Sequence, residues 1–475
     1  MTYTSFYFMC FVALLGIVYF LTPQKYRYLV LLVFSGAFIY IAGGKSSVFF
    51  IYLTGLLAYV AARLISKKKK IFLYITILFV LGCLGLLKYR LYLFPFGNSR
   101  LFSISVPIGI SFYSMSVIAY LVDVYKHKIE PEKNLFKFLL YVTWFPHILQ
   151  GPIARFDRLS ESLFSGAKFD YTRVCHGLQL MFWGVAQKLI IADRAFLVVN
   201  EVFTNYGKYG STEIIYAAVL YALELYADFA GCVNISIGVS EIFGIQLDQN
   251  FAQPYFAITV QDFWRRWHMT LSSFLRDYVY IPLGGKKKGI IRKYLNLMIT
   301  FLVSGIWHGV GNHFIFWGIM HGVYQVAGNL TKGVREKCET KLHINAQTTW
   351  YRVLRIIGTF IWVDIAWIFF RADSISHGFR LLKNLFTRWN PWSLFNEGLF
   401  RVGLDRKETY LLLFFLILMF VFDYLHEKGI RIRKTIDSYA LLVRWGIYMA
   451  LLVSIILFGK YGYGFNAVDF IYMQF

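Results

Sequence analysis

The stretch 304-SGIWHGVGNHFIFWGIMHGVYQ-325 decides how this chain is read. It is apolar and aromatic enough to lie within a bilayer, yet it carries His308 and His321. Ionisable groups at that depth are costly and default to functional candidates. A second block, 263-FWRRWHMTLSSFLRDYVYIPLGG-285, adds His268. The chemistry is therefore expected at His268, His308 and His321. Residues 295–330 read as a pair of helices or a broken one, because Gly309 and Gly311 interrupt the apolar run.

The rest of the chain fits a membrane setting. Of 475 residues, 58% are hydrophobic and 16% charged, against about 25% charged in a soluble protein; the mean hydropathy is +0.53. Apolar stretches of about 17–25 residues cross the hydrocarbon region as helices. Candidates are 6–22, 28–43, 47–64, 71–88, 104–122, 135–150, 176–199, 213–243, 295–330, 353–371, 409–424 and 442–459. They predict an all-α polytopic membrane protein of about eleven crossings, some of them re-entrant. The first segment lacks a basic start and a small-residue cleavage site, so it is expected to be retained.

Lys and Arg number 49 against 26 Asp and Glu, a net charge of +23. A nucleic-acid partner is one reading of that excess. The positives cluster, however, in loops between apolar segments: 67-KKKK-70, 286-KKKGIIRK-293, 332-KGVREKCETK-341 and 428-KGIRIRK-434. Basic loops stay on the cytoplasmic side, so the charge reports topology. The polar region 386–408 and the tail 459–475 then fall on the outer side. The five cysteines have no Cys-x-x-Cys spacing and read as small core residues.

Residues 253–294 are too charged to cross unaided. Trp264, Trp267, Leu271, Phe274 and Tyr278 nevertheless recur at helical spacing. They predict an amphipathic or partly re-entrant helix ending at Pro282 and Gly284-Gly285. Irregular backbone at membrane depth is tolerated only where protein shields it or it lines a wet cavity.

A neutral imidazole takes a proton near physiological pH, and a positioned general base contributes about 10²–10⁴-fold in rate. His308 suits that role, although a structural histidine packing two helices has the same local sequence. His268 lies 40 residues earlier, on another element, so any pairing between the two is tertiary. His321 follows His308 by 13 residues, about 220° around an ideal helix, and reads as support. His313 lies in an apparent turn. Glu224 and Asp228, four apart on one helical face, line a path or pair with arginines of the 263–277 block. No metal-ligand spacing and no glycine-rich phosphate loop appears.

Taken together, these blocks resemble the membrane-bound O-acyltransferase family, in its bacterial alginate O-acetyltransferase-like branch. The resemblance runs through 107-PIGISFY-113, 120-YLVDVY-125, 151-GPIARF-156, 228-DFAG-231, 250-NFAQPY-255, 262-DFWRRWHMTLSSFLRDYVYIPLGG-285, 305-GIWHG-309, 317-WGIMHG-322 and 366-AWIFFRA-372. It implies a ring of helices around a thinned centre with a tunnel, in a single membrane domain over 1–475. It implies that His308 is the catalytic base and His268 its active-site companion. Asp262, Arg265, Arg266, Trp307 and His321 are then expected around them. The ending Phe470-Ile471-Tyr472-Met473-Gln474-Phe475 resembles an F-x-Y-x-x-F motif, found on a small partner in the related D-alanine transfer system. By that likeness Tyr472 carries the acyl group transiently; an aromatic interface anchor is the plainer reading.

The expectation is an enzyme of the bacterial cytoplasmic (inner) membrane, with no bound cofactor. It would move an acyl group, acetyl above all, from a cytoplasmic thioester such as acetyl-CoA. Lys286, Lys287 and Lys288 would attract the donor's phosphates. Its partners would be membrane lipids, a serine-type (SGNH-like) transferase outside the membrane and a polysaccharide acceptor, with no nucleic acid. The alternatives are D-alanyl transfer to teichoic acid and, in another class, a transporter or flippase with a histidine proton relay.

Overall fold

The computed structural model describes residues 1–93, 106–287 and 289–461. Tyr472 and Lys288 lie outside the described residues. Among those described, every regular element is a helix. Among the described residues, seven helices are long and apolar enough to cross a membrane, and two shorter apolar helices, Phe6–Leu21 and Ile110–Tyr125, accompany them. The chain forms two compact units, residues 1–185 with 231–249, and residues 186–230 with 250–475.

The first unit contains α1 (Phe6–Leu21), α2 (Arg27–Ser66), α3 (Ile71–Leu93), α4 (Ile110–Tyr125), α5 (Leu135–Thr143), α6 (Phe145–Ile148), α7 (Phe156–Phe164) and nearly all of α8 (Tyr171–Ala186). The candidate segments 28–43 and 47–64 are two helices that meet within α2 at Gly44, whose φ 70° and ψ −173° are non-helical, a conformation glycine takes without steric cost. The candidate 135–150 is broken instead. Trp144 leaves the helical region at ψ 105°, and Pro146, in the first turn of α6, has no N–H with which to continue the preceding helix. The break is fastened from both sides: Tyr3 donates its hydroxyl to the carbonyls of Phe145 (2.7 Å) and Pro146 (3.0 Å), and Trp144 Nε1 donates to Ser240 Oγ at 3.1 Å.

The second unit holds α9 (Asp193–Thr204), most of α10 (Ser211–Ile242), α11 (Val260–Arg266), α12 (Met269–Leu275), α13 (Ile290–His308), α14 (Asn312–Leu330), α15 (Lys332–Lys341), α16 (Thr349–Arg371), α17 (Ile375–Thr387), α18 (Arg406–Glu427), α19 (Ile432–Asp437) and α20 (Leu441–Phe458). The 295–330 region is a hairpin of two helices, α13 and α14, parted at Gly309–Gly311, with Gly311 at φ 151°. Their backbones touch. A Cβ on Gly305 would lie 2.5 Å from the Phe314 carbonyl oxygen, and one on Gly318 would lie 2.5 Å from that of Phe301. Small residues let membrane helices approach this closely, and that contact fixes where the last turn of α13 points.

A wide turn of π-helix, Gln187–Ala192, precedes α9. It delivers Lys188 to the interior, where Nζ lies 2.6 Å from Asp228 and 3.0 Å from Asp193. Asp228 thus finds a cation on this turn.

Candidate active site

The block expected to form one amphipathic helix is two short helices joined by an elbow. Thr259 caps α11, its Oγ1 accepting from Asp262 N at 3.0 Å. The helix stops at Arg266 because Trp267 is extended, and His268 is left-handed (φ 44°, ψ 55°) before α12 begins. A non-glycine residue held there costs on the order of 1–3 kcal/mol, and such strain gathers at functional sites.

Asn250 holds the elbow. Its carbonyl accepts from Met269 N at 3.0 Å, and Ala252 N donates to Arg266 O at 2.9 Å. Its side-chain Oδ1 accepts from Thr270 N (3.1 Å) and Thr270 Oγ1 (2.9 Å), and lies 3.2 Å from His268 Nδ1. The peptide N–H of Thr270 can only donate, so the amide atom facing it is the oxygen. His268 Nδ1 must then carry its proton, and the lone pair of the neutral ring lies on Nε2. Burial holds this imidazole neutral, far below its usual pKa, with the His308 ring as a lesser cause.

His308 is the last residue of α13. Ser304 lies one turn earlier in the same helix, and its carbonyl oxygen has two lone pairs, of which the helix ladder uses one. His308 Nδ1 lies 2.6 Å from it. A carbonyl only accepts, so Nδ1 carries the proton and the lone pair again falls on Nε2, where a general base needs it. The ring is 2% exposed. It packs edge to face against Trp307 (4.9 Å), Trp317 (4.8 Å) and Phe370 (5.6 Å between centroids).

The structure brings the three histidines into one cluster. His268 lies 6.0 Å from the Trp307 ring, Trp307 abuts His308, and Trp317 lies 4.9 Å from His321 on its other side. His308 is the electrostatic neighbour of both other imidazoles. His321 Nδ1 accepts from Trp264 Nε1 at 3.1 Å. His313 lies instead in the first turn of α14, its ring 4.2 Å from that of Phe314.

Other expected residues lie elsewhere. Arg266 bridges Asp262 (3.2 Å) and Glu427 (2.7 Å), and Arg352 binds the second oxygen of Glu427 at 2.6 Å. These charges brace α11 against α16 and α18. Arg265 is exposed. Lys286 and Lys287 are exposed on the turn after Tyr280. Buried Asn296 pins that turn by donating to Leu283 O (3.2 Å) and Gly285 O (3.1 Å). Among the described residues, no group of three or more His, Cys, Asp or Glu is placed to hold a metal ion.

Sequence reasoning missed Asn250, Trp264, Trp317 and Phe370 as parts of the site. Asn250 precedes His268 by 18 residues, and Trp264 precedes His321 by 57. No spacing rule joins such pairs. All four lie within the blocks that carry the family resemblance, which assigned them no role.

Residues 47–363, which contain all three histidines, match the sequence profile of the membrane-bound O-acyltransferase family. The chain belongs to this family. It is 33% identical over 289 residues to a probable alginate O-acetylase of Pseudomonas fluorescens, covering 61% of this chain and 56% of that protein. A probable alginate O-acetylase of Pseudomonas syringae pv. tomato is 31% identical over 405 residues, 82% of this chain and 75% of the relative. The peptidoglycan O-acetyltransferase of Helicobacter pylori is 31% identical over 310 residues, with 59% and 56% covered. The match thus spans little over half the length of two of these three relatives.

Proposed function

We propose that the chain is an O-acyltransferase of the bacterial cytoplasmic membrane. It takes an acetyl group from a cytoplasmic thioester, acetyl-CoA, and passes it outward for O-acetylation of an envelope or exported polysaccharide. The observation that carries this reading is His308, a buried imidazole whose Nδ1 proton is committed to Ser304 O at 2.6 Å, so that Nε2 is the basic atom. Family membership and the names of the relatives support acetyl transfer to a polymer.

In this reaction His308 Nε2 removes the proton from an acceptor hydroxyl as its oxygen attacks the thioester carbonyl. His268, with the same tautomer and one ring away, orients the acceptor or donor. Lys286 and Lys287 draw the donor's phosphates to the membrane surface, with Lys288 beside them in sequence. Tyr472 supplies the first acceptor hydroxyl. A phenol ionises near pH 10, so its ester retains more transfer potential than a sugar ester. A serine-type, SGNH-like transferase outside the membrane then receives the group.

The test uses membranes containing the full chain, labelled acetyl-CoA and mass spectrometry of the C-terminal peptide and the envelope polymer. Label on Tyr472 and then on the polymer is expected, with His308→Ala lowering both by about 10²–10⁴-fold. Polymer acetylation that survives His308→Ala would overturn the base assignment. Transfer of D-alanine in place of acetate would overturn the acyl group, and transport without a covalent product would overturn the enzyme.

A further inference from the structure

His321 holds the opposite tautomer from the other two histidines. An indole N–H only donates, so the bond from Trp264 Nε1 leaves His321 Nδ1 as the acceptor and places the proton on Nε2. That Nε2–H finds no acceptor among the described residues. The same holds for the indole N–H groups of Trp317 and Trp367, whose rings stack at 5.6 Å and 19°. These side chains are 0%, 0% and 1% exposed for His321, Trp317 and Trp367. An unpaired buried donor costs about 1–3 kcal/mol, and native interiors pair nearly all of them. Here three fall in one ring cluster, and Trp317 touches the base itself.

We propose that His321 is a catalytic residue whose Nε2–H, aided by Trp317 Nε1–H, donates to the carbonyl oxygen of the acyl thioester and to the oxyanion formed from it. This rests on the acyltransferase reading of His308. The acceptor O–H bond breaks, its proton goes to His308 Nε2, and the oxygen forms a bond to the carbonyl carbon. The carbonyl π pair moves onto oxygen, where His321 and Trp317 hold it. Collapse restores the C=O bond and expels the thiolate, which takes the proton back from His308. A neutral imidazole suits this work because it donates without bringing a buried charge. The Trp264 bond also polarises it, since hydrogen bonds in a chain strengthen one another. With its Nδ1 lone pair engaged, His321 does not compete with His308 for the proton.

The plainer role for His321 is a fastener between α11 and α14 through Trp264. A spectroscopic readout separates the two. The full-length protein in lipid nanodiscs, carrying His308→Ala so that the donor survives, is loaded with acetyl-CoA labelled with ¹³C at the carbonyl. Isotope-edited infrared spectroscopy is expected to place the bound C=O stretch below that of the free thioester. Adding His321→Phe returns it toward the free value, and adding Trp317→Phe returns it in part. In the protein with His308 intact, His321→Phe is expected to lower kcat about 10²–10³-fold, as loss of an oxyanion donor does, with KM unchanged within about threefold. His321→Gln keeps a donor and retains most of the rate. If His321→Phe does not fold, the Trp317→Phe and His321→Gln variants still decide. A retained thioester with an unshifted stretch, or a Gln variant as impaired as the Phe variant, would overturn the role of His321 alone. Failure of the protein to retain the thioester at all would sink the donor assignment and this proposal with it.

Discussion

The α13–α14 hairpin and the α11–α12 elbow each deliver a histidine with its proton on Nδ1, and they do so by opposite means. The hairpin is regular. His308 needs only its own helix, whose preceding turn supplies the Ser304 carbonyl at 2.6 Å. The elbow is irregular. His268 sits in a strained backbone conformation and depends on Asn250, a residue from a separate segment. One imidazole is set by local geometry and the other by a long-range contact. The two regions should therefore fail differently.

The largest effect is expected from the hairpin's glycines. Gly318→Leu would drive a side chain into the Phe301 carbonyl, and the two backbones cannot part without moving His308. Loss of folded protein on detergent extraction is expected. A well-folded, active variant would mean that the hairpin's close contact is dispensable. The elbow should show a milder, functional failure. Asn250→Ala leaves the His268 Nδ1–H and Thr270 N–H without their acceptor, at about 1–3 kcal/mol for an unsatisfied buried group. With His268 no longer held in place, kcat/KM should also fall by roughly ten- to hundredfold, in a protein that still folds; Asn250→Asp, which keeps the acceptor oxygen, should lose less. Equal loss in both variants would show that the amide nitrogen matters as well. The smallest effect lies outside both regions. Lys286→Ala with Lys287→Ala should raise KM for acetyl-CoA about threefold at low salt and leave it unchanged at high salt, since exposed charges act through a screened field. A salt-independent change would instead indicate direct contact.

The same contrast explains what the sequence disclosed. The spans were readable because bilayer thickness imposes a length, and α10, α16, α18 and α20 begin and end within a few residues of the apolar runs. The hairpin was readable because Gly309 and Gly311 punctuate it. The elbow was not. Trp264, Trp267, Leu271, Phe274 and Tyr278 keep helical spacing straight through a point where the helix breaks. The backbone of Asn250 takes the Met269 N–H that a continuous helix would have used, and no local pattern foretells a bond from 19 residues away. His268 and His308 were both singled out in the sequence, but the tautomers that separate them from His321 rest on Asn250, Ser304 O and Trp264.

The position of His308 as the final residue of its helix has a mechanical consequence. On the proposed mechanism, the atom that takes the proton shares a ring with the atom that grips the last turn of the helix. When Nε2 is protonated, the bond from Nδ1 to Ser304 O becomes charge-assisted and stronger, and the new cation lies at the negative pole of the α13 dipole. The helix end is thus firmest while the base is loaded and slackest once the proton has gone. Each turnover would write a pulse of stiffness into the last turn of α13, and the amide protons of residues 305–308 are where it would be read.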